Sequence, residues 1–348
     1  MPKTRGPTCG THPRSKHWVS TDCCGWVCAI LTWFFLGFAA YIIYFRVLRP
    51  WKGDPFSTDN PPTDGGWFHY IGFFSCIFLS YWSHIKTMLT DPGAVPIDAI
   101  PLDYYNEPPF AGKFQQHHEI CRICDSYKPR TAHHCSICSR CIVRMDHHCP
   151  WANNCIGQTN HKFFILFITY TFISCVWALV LIISKSIHCS QGLKFDSSSH
   201  KFTQTIEACK GNDNPGDTLF IILVGIEAFF FGMFTICMIC DQAAVVSSGQ
   251  SHIDVHKQKR VLKKEEVKAS TMSENFATVF GGDGQPSIWW FVPIDAKWKN
   301  PEKHFGFMLP KMHHDPEAEK EHYLQNLGNS EPTDGLLNRG EKSLDDLV

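Results

Sequence analysis

The chain has 348 residues, a formal net charge of −1, 44% apolar residues and 14% aromatic ones. That length admits two ordinary domains, and a charge near zero removes any general attraction to nucleic acid. With 27 Phe and 11 Trp in a chain whose mean hydropathy is only −0.14, apolar stretches alternate with polar ones, and the apolar ones suit lipid better than water.

In chain order, a short basic segment with Lys3, Arg5, Arg14 and Lys16 precedes the first apolar stretch, residues 26–48. A bilayer is crossed by about 20 apolar helical residues at about 1.5 Å each, so this stretch is predicted to span. Cys23, Cys24 and Cys28 at its start read either as membrane-proximal acylation sites or as apolar filler. A second span is predicted over 67–89, interrupted near its end by His84 and Lys86, which can snorkel to the interface. Asp91-Pro92-Gly93 follows, then a cysteine-rich stretch. The third and fourth spans are predicted over 163–183 and 219–240. The first apolar stretch starts too late and runs too long for a cleaved signal peptide.

Four spans place both termini on one side. Arg122, Lys128, Arg130, Arg140, Arg144 and Lys162 in the central segment share that side with the N-terminal basic residues and with Lys257, Lys259, Arg260, Lys263 and Lys264. By the positive-inside rule this side is cytosolic. Arg46, Arg49 and Lys52 count against it, although Asp54, Asp59 and Asp64 lie close by. Cys189 and Cys209 then fall in a loop on the far side, where a disulfide can form.

The run from Cys121 to Cys155 carries seven cysteines and four histidines: Cys121-x2-Cys124, His133-His134-Cys135-x2-Cys138-x2-Cys141, Asp146-His147-His148-Cys149-Pro150, then Cys155. Cys-x-x-Cys pairs with nearby histidines have the spacing of tetrahedral zinc sites, a reading that favours a reducing compartment over disulfides. Two closed sites need eight ligands. With two histidines serving, one of the seven cysteines is left over, and Cys149 is the candidate because it stands outside the Cys-x-x-Cys pairs and beside Asp146, His147 and His148. A spare thiol beside an imidazole and a carboxylate is the arrangement of an activated nucleophile. On an extended backbone, His147 and Cys149 project to one face and His148 to the other.

This run, followed by Asn160 and Phe164, resembles the Asp-His-His-Cys family of membrane protein S-acyltransferases over its whole length without gaps; Asp91-Pro92-Gly93 is similar to a further motif of that family. The resemblance implies an all-α membrane protein with four transmembrane helices and a small cytosolic cysteine-rich domain, between helices 2 and 3, that binds two zinc ions. The divisions become a cytosolic segment 1–25, helices 1 and 2 in 26–90, the catalytic domain 91–162, helices 3 and 4 in 163–240 and a cytosolic tail 241–348. One zinc falls to Cys121, Cys124, His134 and Cys141, the other to Cys135, Cys138, His148 and Cys155, while His117, His118 and His133 read as exposed loop residues. Cys149 would be the nucleophile, His147 its general base and Asp146 the group orienting His147. The implied reaction moves a long-chain acyl group, palmitoyl above all, from acyl-CoA through a Cys149 thioester to cytosolic cysteines of membrane-associated proteins. Golgi and endoplasmic reticulum membranes are the expected setting.

Other residues carry two readings each. Ser174, halfway along the third span, is small enough to leave room for an acyl chain, but serine also serves helix packing. Trp151 either walls an acyl pocket or anchors at the interface. Glu227 in the middle of the fourth span is a functional candidate by cost, or a packing residue hydrogen-bonded to Tyr170 or Thr171. Asn275 and Phe280-Gly281 resemble a family element that packs the tail against the zinc region. Where relatives carry a Thr-Thr-x-Glu-type element, this chain has Asp241-Gln242-Ala243-Ala244-Val245, which puts that element's contacts in doubt. Residues 288–292, Ile-Trp-Trp-Phe-Val, fit a membrane interface, and from about 310 the composition is polar, ending in Leu347-Val348 with a carboxylate that a peptide groove could take. A zinc scaffold of the ubiquitin-ligase kind would have no need of Asp146-His147 beside a spare thiol. A four-span channel finds its only intramembrane polar site in Glu227.

Overall fold

The computed structural model describes residues 18–97, 120–197, 201–206, 215–250 and 270–307, with residues 99, 101, 209 and 253. The basic N-terminal residues, the basic stretch after the last long helix, His117, His118 and the polar tail lie outside the described residues.

Four long helices carry the architecture. They are α1 (Cys23–Ile42), which continues through a π-helical turn (Ile43–Leu48) into α2 (Arg49–Lys52), then α3 (Asp64–Leu89), α4 (His161–Gln191) and α5 (Pro215–Ser248). Three described stretches are long and apolar enough to cross a membrane: Cys23–Lys52, His161–Gln191 and Gly216–Ser248. The 26 residues of α3 are long enough but less apolar.

Each helix buries a stripe at 3–4-residue spacing. The α1 stripe is Gly25, Ala29, Thr32 and Leu36; that of α3 runs through Tyr70, Phe73, Ile77, Ser80, His84 and Thr87. On α4 the stripe includes Phe164, Thr171, Ser174, Ala178 and Lys185, and on α5 Val224, Ala228, Thr235 and Gln242. Many of these inward residues are small or polar, while Phe34, Phe78, Ile183 and Phe230 point outward and are more than half exposed. Polar inside and apolar outside is the pattern of helices packed in lipid. α4 lies between α3 and α5, and the Ser80 and Thr171 hydroxyls share a hydrogen bond of 2.7 Å across the first of these contacts. At the end remote from the cysteine-rich stretch, the Lys185 ammonium donates to the Arg46 carbonyl in the π-helical turn (2.6 Å), and Arg46 Nε pairs with Asp217 (3.2 Å).

His84 does not snorkel. It is fully buried, accepting from Trp33 Nε1 on Nδ1 (3.0 Å) and donating from Nε2 to the Trp151 carbonyl (2.9 Å). A ring held at both nitrogens between two helices and a loop gains more than it would at a wet surface. Lys86 does reach outward, to Asp295 at 2.8 Å.

Between α3 and α4 the chain forms three two-stranded antiparallel ladders: β1 (Ile120–Cys121) with β2 (Ser126–Tyr127), β3 (Ala132–Cys135) with β4 (Arg140–Val143), and β5 (His147–Cys149) with β6 (Asn154–Ile156). This module is thus built of hairpins rather than the helices of an all-α chain. Asp91 caps the strap into it, its Oδ1 accepting from Gly93 N (2.9 Å) and Ala94 N (2.7 Å). Gly93, at φ +97°, returns its carbonyl to Val143 N at 2.9 Å. Asn154 Nδ2 donates to the Thr87 and Thr90 carbonyls (3.0 and 2.9 Å), closing the C-terminus of α3.

Beyond α4, the hairpin β7 (Leu193–Asp196) with β8 (Lys201–Gln204) precedes α5, and a disulfide joins Cys189 to Cys209. After α5, helix α6 (Met272–Phe280) opens with a Thr271–Glu274 capping box. Asn275 Nδ2 donates to the Ser247 carbonyl (2.8 Å), and the Gln158 side chain reaches the Thr278 carbonyl (2.8 Å), so this element docks on α5 and on the hairpin module as expected. A 3₁₀ turn (Ile288–Phe291) and α7 (Pro301–Phe305) complete the described chain.

Candidate active site and metal centres

Strand alternation divides the candidate ligands. On β3, His134 and its neighbour Cys135 point to opposite faces, and the pairings His134↔Cys141 and Cys135↔Arg140 place Cys141 beside the first. The described residues hold two clusters of metal-ligating type, Cys121-Cys124-His134-Cys141 and Cys135-Cys138-His148-Cys155. In the first, His134 Nδ1 lies 3.2 Å from Cys124 Sγ and 3.7 Å from Cys121 Sγ, and the Cys124 and Cys141 sulfurs are 3.9 Å apart. In the second, His148 Nδ1 stands 3.5 Å from both Cys138 and Cys155, whose sulfurs are 3.5 Å apart. A tetrahedron of zinc–sulfur bonds of about 2.3 Å has edges of about 3.8 Å, so both clusters fit the ion. His133 belongs to neither. It is 5% exposed, a buried strand residue rather than the exposed loop residue expected from sequence.

His148 turns its other nitrogen, Nε2, toward Asp22 Oδ2 at 3.9 Å. Asp22 also caps α1, accepting from Cys24 N and Gly25 N, so one carboxylate faces both the helix start and His148.

On β5, His147 and Cys149 share the face opposite His148. His147 Nδ1–H donates to Asp146 Oδ2 at 2.9 Å, and its ring lies within electrostatic reach of the Cys149 sulfur. Burial works against a charged His147, but its interactions with Asp146 and Cys149 outweigh it and lift the ring to about 10. Burial likewise opposes a charged Asp146, yet hydrogen bonding from His147 and Gln242 and the nearby His161 hold its carboxyl well below the usual range. Cys149 is 4% exposed and packs with Phe164, Phe167 and Ile168 of α4.

Two contributors to this site escaped the reading of the sequence. Gln242 Nε2 donates to Asp146 Oδ2 (2.9 Å), while its Oε1 accepts from His161 Nε2 (2.5 Å). α5 runs eight residues past its predicted end, and this continuation carries Gln242 onto Asp146. A signal was present: Gln242 lies four residues after Met238 and seven after Thr235, on one helical stripe. His84, which holds the Trp151 carbonyl, is the other.

Cys149 and His147 stand at one end of a cavity between the four helices, walled by Trp151, Phe164, Ser174 and Phe231 among others. Trp151 therefore faces the cavity, near Phe231 and Phe234. Ser174 also lines it, its hydroxyl turned back to the Tyr170 carbonyl (2.8 Å). Glu227 lines the same cavity but is not bonded to Tyr170 or Thr171: Tyr170 donates to the Phe291 carbonyl and Thr171 pairs with Ser80. Both hydroxyls serve helix packing and tail docking instead.

A family model described as DHHC palmitoyltransferase matches residues 114–259. The chain is 34% identical to palmitoyltransferase ZDHHC3-A of Danio rerio over 291 residues, covering 83% of this chain and 82% of that one. It is 33% identical to palmitoyltransferase ZDHHC7 of Mus musculus over 285 residues (82% and 83%), and 33% identical to palmitoyltransferase ZDHHC3 of Homo sapiens over 271 (77% and 81%).

Proposed function

The chain belongs to the DHHC palmitoyltransferase family and is a protein S-acyltransferase; from that premise we propose that Cys149 carries the acyl group as a thioester, with His147 and Asp146 as its proton-handling pair. The observation that carries the reading is the placement of Cys149 beside an Asp146–His147 pair at the end of a predominantly apolar cavity.

The reaction then has two steps. The Cys149 thiolate attacks the thioester carbonyl of a long-chain acyl-CoA, the S–CoA bond breaks, and CoA leaves with a proton from His147. An acceptor cysteine of a membrane-associated protein, its thiol proton taken by His147, attacks the Cys149 thioester and leaves as the acylated product. One thioester replaces another in each step, so no external energy source is needed. Each methylene withdrawn from water is worth about 0.8 kcal/mol, which supports seating the chain in the cavity, with Trp151 and Ser174 among its walls. Positioned proton transfer of this kind contributes about 10²–10⁴-fold.

Each four-residue cluster holds one structural zinc, and binding supplies about 10–16 kcal/mol to a module too small to bury much apolar surface. α3 is the fourth span, its polar residues directed to neighbouring helices. The hairpin module and both termini face the cytosol, since thiolate sites need a reducing compartment and the Cys189–Cys209 bridge suits an oxidising one. Endomembranes such as Golgi and endoplasmic reticulum have such a pair of faces.

The test is incubation of the purified protein with an alkyne-tagged palmitoyl-CoA. Hydroxylamine-labile label on wild type, absent from a zinc-loaded Cys149→Ser variant and passed to an added acceptor protein, is the expected result. Label that persists on the variant would place the acyl group elsewhere and favour a zinc scaffold. Ser174→Phe should shift preference toward shorter acyl-CoAs, and an unchanged profile would remove Ser174 from the chain's path.

A further inference from the structure

One side chain does not suit a cavity meant for a plain alkyl chain. Glu227 lines it, and no other described residue hydrogen-bonds or pairs with its carboxyl. The Cys175 thiol, also of the cavity wall, lies within electrostatic reach of it. A carboxyl at membrane depth costs about 2.5–3.5 kcal/mol on insertion scales, and no described partner offsets that cost here. A saturated chain lying against it would displace water and return no hydrogen bond.

Its position along the cavity is set by the helices. Met238, near the Cys149 end, and Glu227 are both on α5, eleven residues apart, which is about 16 Å at about 1.5 Å per residue. On α4 the lining runs from Phe164 beside Cys149 to Ala178, about 21 Å by the same rise. An extended chain with C–C bonds of about 1.5 Å advances about 1.3 Å per carbon. A chain anchored on Cys149 thus brings about its twelfth carbon level with the Glu227 backbone, and the Glu227 side chain, tilted toward the N-terminus of α5, reaches past it toward the chain's last carbons.

We propose that Glu227 makes the far end of this cavity a polar subsite, which favours acyl chains bearing a hydroxyl at or near the ω carbon over unsubstituted chains of the same length. The hydroxyl both donates and accepts, so it partners the carboxyl whether Glu227 is ionised or not. The α5 positions 227, 231, 234 and 238 form one stripe at helical spacing and all line the cavity, so Glu227 belongs to the same wall as Phe231 and Phe234. The proposal rests on the reading that the cavity holds the acyl chain.

The experiment offers purified full-length protein an equimolar mixture of palmitoyl-CoA and ω-hydroxypalmitoyl-CoA and reads the two Cys149 adducts by intact-protein mass spectrometry. Wild type should favour the hydroxylated chain about five- to tenfold, the range of one hydrogen bond. Glu227→Leu, close in size but apolar, should erase or reverse the preference, and Glu227→Gln should retain part of it. Equal adducts on wild type, or a ratio unchanged in Glu227→Leu, would overturn the proposal. Ser174→Phe separates the two readings. If it shifts chain-length preference while the hydroxyl ratio ignores Glu227, the cavity reading stands and the polar subsite falls. If Ser174→Phe and Glu227→Leu both leave every adduct ratio unchanged, the cavity does not hold the chain and both fail.

Discussion

Asp146 shows how much of this site depends on single side chains. Its Oδ2 accepts from His147 and from Gln242, and Gln242 is held in turn by His161. Removing one partner of a buried bond to a charged group costs about 1–3 kcal/mol. Gln242→Leu should therefore lower the self-acylation rate about tenfold or more while zinc content stays constant, read by a time course of label together with metal analysis. Gln242→Glu, which sets a second carboxylate against Asp146, should lose more. A wild-type rate in both variants would reduce the contact to packing. Asp22 offers a separate test through metal rather than rate. With its carboxylate facing His148 Nε2, Asp22→Ala should weaken zinc retention by about 10–100-fold, the usual effect of losing a ligand's outer partner. Competition with a chelator measures this directly.

The elements differ in how plainly the sequence announced them. Two metal sites and a leftover cysteine were legible because Cys-x-x-Cys spacing is local, whereas the division of the eight candidate ligands into two interleaved sets came from the family resemblance and matches the two clusters found. The four long helices were legible from their length, but their ends were not: α4 runs on to Gln191 and α5 to Ser248, beyond the predicted 183 and 240. Hydropathy falls where a helix leaves lipid, whereas the helix itself continues until its backbone finds another partner. His84 was misjudged for the same reason, since a histidine near a helix end looks like a snorkelling residue until a loop from elsewhere supplies its acceptor. Nor does any local pattern show that Asn154 closes α3. Asn154→Ala removes donors to the Thr87 and Thr90 carbonyls and should cost about 1–3 kcal/mol, seen as a lower midpoint of thermal unfolding in detergent. An unchanged midpoint would mean that water replaces the amide at no cost.

Taken whole, the molecule places the clustered thiols of the hairpin module at one end of the helices and a disulfide at the other, and this polarity makes its orientation testable. Ser197, exposed in the loop between α4 and α5, becomes an Asn-Ser-Ser acceptor on Ser197→Asn. The variant should gain a glycosidase-sensitive mass in cells, and its absence from a correctly inserted protein would argue for the inverted topology. The Cys189–Cys209 bridge has a further consequence for anyone handling the protein. The hairpin clusters and Cys149 must stay reduced, while the bridge must stay oxidised. A mild reductant that keeps Cys149 reduced and leaves the far bridge intact is therefore the condition to seek in detergent, checked by mass spectrometry of both. On the proposed topology a sealed membrane with a different redox buffer on each face matches both ends at once, which makes reconstituted vesicles a natural reference state for its activity.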